Sequence, residues 1–413
     1  MKLPVILTLV AAAGAKTSYA GHKVFRLTSS SESNHFAQNF TSLAQDLALP
    51  IWREPDIGGQ FADIQVPPSL LSSFEEGIEG WAELEVMHED LGAAIDEEAQ
   101  YPEYKRGSVD ASWFSNYHPY KDHMAWLTDL QAKYSKNSEI INISKSVEGR
   151  DVSCIRIFGK EKGKPAIFFM GTLHAREWIT TTTTEYIAQS LLENYGKDND
   201  ITAVLDKYDV YIVPITNPDG FLFSQTSTRM WRKNRNKNDG NKCMGVDTNR
   251  NWPIDWAKTS KDPCADTYRG TAEGSEPEIR GLMNTMQDIK KKQGIKLFVD
   301  WHSYSQLVIY PWGYTCNQAA PRTEEHSRLA LGAAEVFTKA KGARYKGGNT
   351  CKLLYAASGC SDDWVLSSGA AEYSFTIELR DDGKKGFVLP ASEILPTGEE
   401  SYAATKWLLM NLK

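Results

Sequence analysis

The stretch "KPAIFFMGTLHAREWIT" (Lys164–Thr180) changes character twice over its length. It opens as a near-continuous apolar run, Ala166–Met170, of the kind a strand buried on both faces requires. It then crowds His174, Arg176 and Glu177 into four positions before Trp178 and the threonines Thr180–Thr184 open a helical stretch. That stretch runs through "TEYIAQSLLENYG" and stops at Gly196, as a glycine C-cap would stop it. Strand, charged turn and helix make one α/β unit, and the pattern recurs outward from it. "DVSCIRIF", "DVYIVPI", "IKLFVDW" and "YSFTIEL" are short runs rich in β-branched or aromatic residues, and "RLALGAAEVFTKAKG" is a helix ending on Gly342. The expectation is a mixed, mainly parallel twisted sheet with helices on both faces.

The remaining sequence sets bounds on this unit. The whole chain, 413 residues with 41% hydrophobic and 24% charged, suits one large domain and a smaller one. Residues 1–20, "MKLPVILTLVAAAGAKTSYA", read as a secretory signal peptide, because the apolar run after Lys2 is too short to span a bilayer and ends in small residues. Two sequons, at Asn39 and Asn142, agree with that route, and six cysteines in a secreted chain are disulfide candidates with fifteen possible full pairings. Charge is uneven. Residues 1–106 hold sixteen acidic and seven basic side chains, and Glu54–Tyr104 contains no lysine or arginine. Within this acidic part "KVFRL", "FADIQVP" and "WAELEVMH" alternate as strands, while "ESNHFAQNFTSLAQDL" and "PSLLSSFEEGIE" have helical spacing, which predicts a small α+β unit. It closes on Lys105-Arg106, a dibasic pair between two compositional zones. No basic patch is dense enough for nucleic acid, and no later segment is long and apolar enough for a membrane.

In an open α/β sheet, ligands bind beyond the carboxyl ends of the strands. His174 and Glu177 follow "KPAIFFMG", His302 follows "IKLFVDW", and Glu378 ends "YSFTIEL". Catalytic zinc takes three protein ligands, often two histidines and a glutamate, with a fourth position left open. His174, Glu177 and His302 supply that set, and only eight histidines exist in the chain. A lone His-x-x-Glu is a weak signal; its company at strand ends strengthens it. Glu378 is either a buried acid paired with Arg380 or a general base.

With these motifs on view, the chain resembles the zinc metallocarboxypeptidases of the pancreatic procarboxypeptidase type. The resemblance rests on "GTLHAREWIT", "PITNPDGF", "WRKNR", "GVDTNRNW", "HSYSQLVIYPWGY", "LYAASGCSDDW" and "YSFTIELRDDGKKGFVLPASEILPT", in the family's order. It implies a secreted zymogen that removes the C-terminal residue of peptides and proteins by zinc-activated water. Residues 21–106 would be an inhibitory open-sandwich prodomain, cut near Arg106 by a trypsin-like or dibasic-specific protease, and residues 107–413 a monomeric catalytic domain with one zinc ion. His174, Glu177 and His302 would hold the metal, with Glu378 the general base and Asp247 orienting His174. Arg232 would stabilise the oxyanion. Asn249, Arg250 and Tyr355 would bind the terminal carboxylate, and Arg176, Ser303, Tyr304 and Phe387 would line further subsites.

"GCSDDW" bears on which residue is removed. In the family the position of Asp362 lies at the base of the side-chain pocket, where an aspartate marks the B-type enzymes that remove lysine and arginine. The expectation is therefore a basic preference, against the alternative of an A-type preference for aromatic or aliphatic residues. A non-catalytic C-terminus-binding homologue would lack a ligand or the base, and here each position is filled. The resemblance also implies a Cys243–Cys264 disulfide and, as in some members, Cys316–Cys351. Cys154 and Cys360 stay open, paired or free.

Overall fold

The computed structural model describes residues 16–30, 35–56, 58 and 61–413; the first fifteen residues of the expected signal peptide lie outside the described residues. Two sheets organise the chain. The smaller is antiparallel, with strands β1 (Lys23–Ser29), β2 (Ile51–Arg53), β3 (Phe61–Val66) and β4 (Ala82–His88) in the order β2-β3-β1-β4. Phe25, Leu27, Ala62, Ile64 and Val66 turn one face toward the helices Phe36–Asp46 and Leu71–Ile78 and form a core with Phe36, Phe40 and Phe74. Strand alternation sends Val24, Arg26, Asp63 and Gln65 to the opposite face, away from those helices. That face is laid on the rest of the molecule.

The larger sheet comprises β5 (Ser138–Lys145), β6 (Asp151–Ile157), β7 (Ala166–Gly171), β8 (Asp209–Val213), β9 (Ile295–His302), β10 (Leu307–Tyr310), β11 (Lys346–Asn349) and β12 (Tyr373–Glu378). Their order is β11-β10-β12-β9-β7-β8-β6-β5. The central four, β12, β9, β7 and β8, are parallel to one another, and β10, β6 and β5 join antiparallel. β7 shows why the central strands are apolar throughout. Ile167 and Phe169 pack on the side of the helix Trp178–Asn194, while Ala166, Phe168 and Met170 pack against the helix Pro277–Gln293 on the other side. Helices therefore cover both faces, as expected from the sequence.

Four pieces of sheet were not anticipated: β2, β5, β10 and β11. β11, "KGGN", has no strand propensity of its own. It pairs parallel with β10 because Gly347 lets the strand lie against the helix Thr323–Lys341, where a Cβ would meet the Ala330 backbone at 2.7 Å.

Disulfides join Cys243 to Cys264 and Cys316 to Cys351. Cys154 and Cys360 are both free and buried. No helix among the described residues is long and apolar enough to cross a membrane.

Candidate metal centre and cleft

Because β12, β9 and β7 are neighbours and parallel, their carboxyl ends come out side by side. Glu378 is opposite His302 in the β12–β9 register, and Gly171, which leads into His174, is opposite Trp301. His174 and Glu177 occupy the short turn between β7 and the helix Trp178–Asn194. One ligand atom from each of His174, Glu177 and His302 lies within 4.8 Å of the others, and all three residues are buried. His174 Nδ1 is 2.7 Å from Glu177 Oε1, and His302 Nδ1 is 3.0 Å from Glu177 Oε2. The two Nδ1 atoms face each other at 3.1 Å. Two imidazole nitrogens and a carboxylate converging on one point, with little else to satisfy them, fit a divalent zinc ion as a donor set. Burial alone would raise the Glu177 carboxyl, but the His174 and His302 rings hold it below the ordinary carboxylate range.

Each histidine has a carboxylate on its far nitrogen. His174 Nε2 is 3.2 Å from Asp247 Oδ1, and Arg232 donates from Nε and Nη2 to Asp247 Oδ2 at 3.0 and 2.8 Å. Burial works to raise Asp247, yet Arg232 and His174 hold it well below the usual range. Arg232 thus lines the cleft while its guanidinium is already paired. His302 Nε2 is 2.9 Å from Asp300 Oδ2. Asp300 was missed in the sequence; the available signal was an acid two residues before a ligand, on the same strand face.

One cleft gathers most of the residues singled out from the sequence. His174, Arg176, Glu177, Arg232, Asn249, Arg250, His302, Ser303, Tyr304, Tyr355, Asp362, Glu378 and Phe387 all line it. Asp247 stands behind His174. Glu378 does not pair with Arg380, which instead reaches Glu393 and Glu400. Burial pushes the Glu378 carboxyl up. Arg176 stacks on Phe387 at 4.2 Å and reaches Asp266 at 3.3 Å. Arg250 donates to the Cys360 sulfur at 3.4 Å. Asp362 is buried, and its Oδ2 has no hydrogen-bond partner among the described residues, whereas Asp363 accepts from the Gly313 and Tyr314 amides. Ile309, Thr350, Leu354 and Thr376 line the same cleft.

The cleft is closed by the small sheet. Ile51, Trp52, Arg53 and Glu54 line it alongside the candidate ligands. Asp63, fully buried, accepts from Arg26 Nε at 2.7 Å and from the Tyr304 hydroxyl at 2.6 Å. Trp52 packs on Phe387 at 5.3 Å between ring centres. Gly386 makes this approach possible, since its φ is +59° and a Cβ there would lie 2.8 Å from the Trp52 ring. Glu98 forms a pair with Arg229, at 2.6 and 2.8 Å, that is almost fully buried. Burial raises Glu54, and the Arg250 and Arg232 charges oppose that. Further along, Arg106 holds Asp129 through Nε at 2.9 Å and Nη2 at 2.7 Å, with its own side chain largely exposed.

Comparison with known proteins bears on this arrangement directly. A family model described as zinc carboxypeptidase matches residues 123–404, and one described as carboxypeptidase activation peptide matches residues 27–98. The chain belongs to the zinc carboxypeptidase family. It is 44% identical over 414 residues to the probable metallocarboxypeptidase A of Trichophyton verrucosum, covering 99% of this chain and 97% of the relative. Among solved structures, that of thrombin activatable fibrinolysis inhibitor superposes with a TM-score of 0.86 at 29% identity, covering 95% of this chain and 99% of that one. Carboxypeptidase A from Helicoverpa armigera gives 0.82 at 26% identity, with 95% and 98% covered. The protein is a zinc metallocarboxypeptidase in zymogen form, an exopeptidase with an activation peptide ahead of its catalytic domain.

Proposed function

We propose that His174, Glu177 and His302 hold the zinc of this carboxypeptidase, that Glu378 is its general base, and that Asp362 gives it a preference for C-terminal lysine and arginine. Bound zinc supplies a Lewis acid that polarises a carbonyl and lowers the pKa of a water. The chain's own groups do the rest. Arg250, with Asn249 and Tyr355, receives the terminal carboxylate, which restricts reaction to the last peptide bond. Glu378 takes a proton from the attacking water at a carboxylate oxygen. As the carbon–oxygen bond forms and the carbon–nitrogen bond breaks, it returns that proton to the leaving amine. Arg232 adds positive charge beside the developing oxyanion.

The observation that carries the basic preference is Asp362 Oδ2, buried in the cleft with no hydrogen-bond partner among the described residues. A guanidinium or ammonium would satisfy it, whereas an apolar side chain would leave it unpaired. The second reading, an aromatic or aliphatic preference, draws on Ile309 and Leu354 in the same cleft and on the name of the Trichophyton relative. The remaining assignments are a signal peptide at 1–20 with secretion, an activation unit at 21–106, cleavage near Arg106 by a trypsin-like or dibasic-specific protease, and a monomeric catalytic domain at 107–413.

The test is hydrolysis of matched peptides ending in Arg, Lys, Phe or Leu, before and after trypsin, with and without a chelator. Chelator-sensitive release of Arg and Lys, rising on trypsin treatment, is the expected result. Release of Phe or Leu alone would overturn the role given to Asp362.

A further inference from the structure

On β9 the side chains of Phe298, Asp300 and His302 share one face, the face toward the helix Ser361–Ser367. Asp300 is fully buried there. Its Oδ2 meets His302 Nε2 at 2.9 Å and accepts from the Ser361 hydroxyl, while its Oδ1 has no hydrogen-bond partner among the described residues. A second polar group approaches the same histidine nitrogen: Asn249 Nδ2 is 3.4 Å from His302 Nε2. The Asn249 amide is oriented, because its Oδ1 accepts from the Ser361 backbone N–H at 2.9 Å. Asn249 therefore presents a donor to Nε2, and Asp300 presents an acceptor.

The two favour opposite tautomers. With Asp300, Nε2 carries the proton and the Nδ1 lone pair is free for a metal. With Asn249 alone, Nε2 would accept and the proton would sit on Nδ1, where it blocks ligation. We propose that Asp300 is a positioning residue for the metal centre: clamped by Ser361, it fixes the His302 tautomer that presents Nδ1 to zinc, against the competing donor of Asn249. The inference rests on the reading of His302 as a zinc ligand. Ser361 is the joint of the arrangement. Its hydroxyl holds Asp300, its amide holds Asn249, and it immediately precedes Asp362, so the metal ligand, a carboxylate-clamp residue and the side-chain pocket share one fixed point.

The test is zinc affinity, measured by competition with a chromogenic chelator on the full-length protein, together with the visible absorption of the cobalt-substituted form. Asp300→Ala should weaken zinc binding by about 10- to 100-fold and shift the cobalt spectrum, while metal-free thermal stability changes far less. Asp300→Asn keeps an acceptor oxygen and should lie between Asp300→Ala and the parent. Ser361→Ala should weaken binding by a smaller factor in the same direction. Zinc affinity within twofold of the parent in Asp300→Ala would overturn the proposal. If that variant does not fold, parent-like affinity in both Asp300→Asn and Ser361→Ala overturns it equally. A parent protein that binds no zinc would instead overturn the ligand assignment on which the inference rests.

Discussion

Glu378 ends β12 opposite His302, half-buried and without a salt bridge to Arg380, and desolvation raises its carboxyl. A base raised in this way is lost when protonated. kcat/KM should fall about tenfold per pH unit on the acid side once the pH drops below that carboxyl's pKa. Glu378→Gln should remove that limb and lower kcat by about 100- to 10,000-fold with zinc content unchanged; parent-like kcat would show that another group takes the proton. Asp362 makes a separate prediction. Asp362→Leu should lower kcat/KM for C-terminal arginine by about 100-fold or more, the effect of losing one partner of a buried ion pair worth roughly 3–5 kcal/mol. The same change should raise kcat/KM for C-terminal leucine. Steady-state kinetics on the two matched peptides after trypsin checks both, and an unchanged ratio would place specificity elsewhere in the cleft.

At the scale of elements, the small sheet and the helix Leu91–Glu98 that follows it are fastened over the cleft at named points. Asp63 on Tyr304, Trp52 on Phe387 and Glu98 on Arg229 are the principal ones. Glu98→Ala strands the Arg229 guanidinium in a buried site, at a cost of about 3–5 kcal/mol to the closed state. The uncleaved Glu98→Ala protein should therefore show at least tenfold more peptidase activity than the uncleaved parent, and trypsin should erase the difference. Equal activity before cleavage would mean the Glu98 pair does not hold the cleft closed. None of these fastenings was legible in the sequence, because each joins residues more than a hundred positions apart. What was legible is the local pattern. Apolar runs marked β6, β7, β8, β9 and β12, and alternation marked β1, β3 and β4, since burial on two faces or one leaves a period in the residues themselves. β11 was invisible because glycines and packing, not propensity, make it a strand. β10 was hidden in "HSYSQLVIY", a stretch read for its motif.

Across the whole molecule, the polar network beneath the sheet couples folding to pH. Glu278, at the start of the helix Pro277–Gln293, is fully buried, with Oε1 accepting from the Val147 amide at 2.9 Å. Burial, with the Glu276 and Asp219 charges adding to it, pushes its carboxyl up from 4.5 to about 7. A folded-state pKa above the unfolded one means the native state binds the proton more tightly. The contribution to stability is thus fully present below the unfolded value and is lost as pH rises through the folded one. Between pH 5 and 7.5, Glu278→Gln should flatten the stability profile by about 1–3 kcal/mol relative to the parent. Denaturant unfolding at a series of pH values reads this difference, and parallel profiles would contradict it.

The candidate ligands were legible because two of the chain's eight histidines follow strand ends in motifs dense with charged and aromatic residues, yet their convergence depends on β12, β9 and β7 being neighbours, which only the fold supplies. Anomalous scattering at the zinc absorption edge, from crystals of protein purified with zinc present, tests that convergence most directly. The account predicts one strong peak between His174 Nδ1, His302 Nδ1 and the Glu177 carboxylate. A zinc peak at any other place, or zinc-exposed crystals with no peak there, would contradict it.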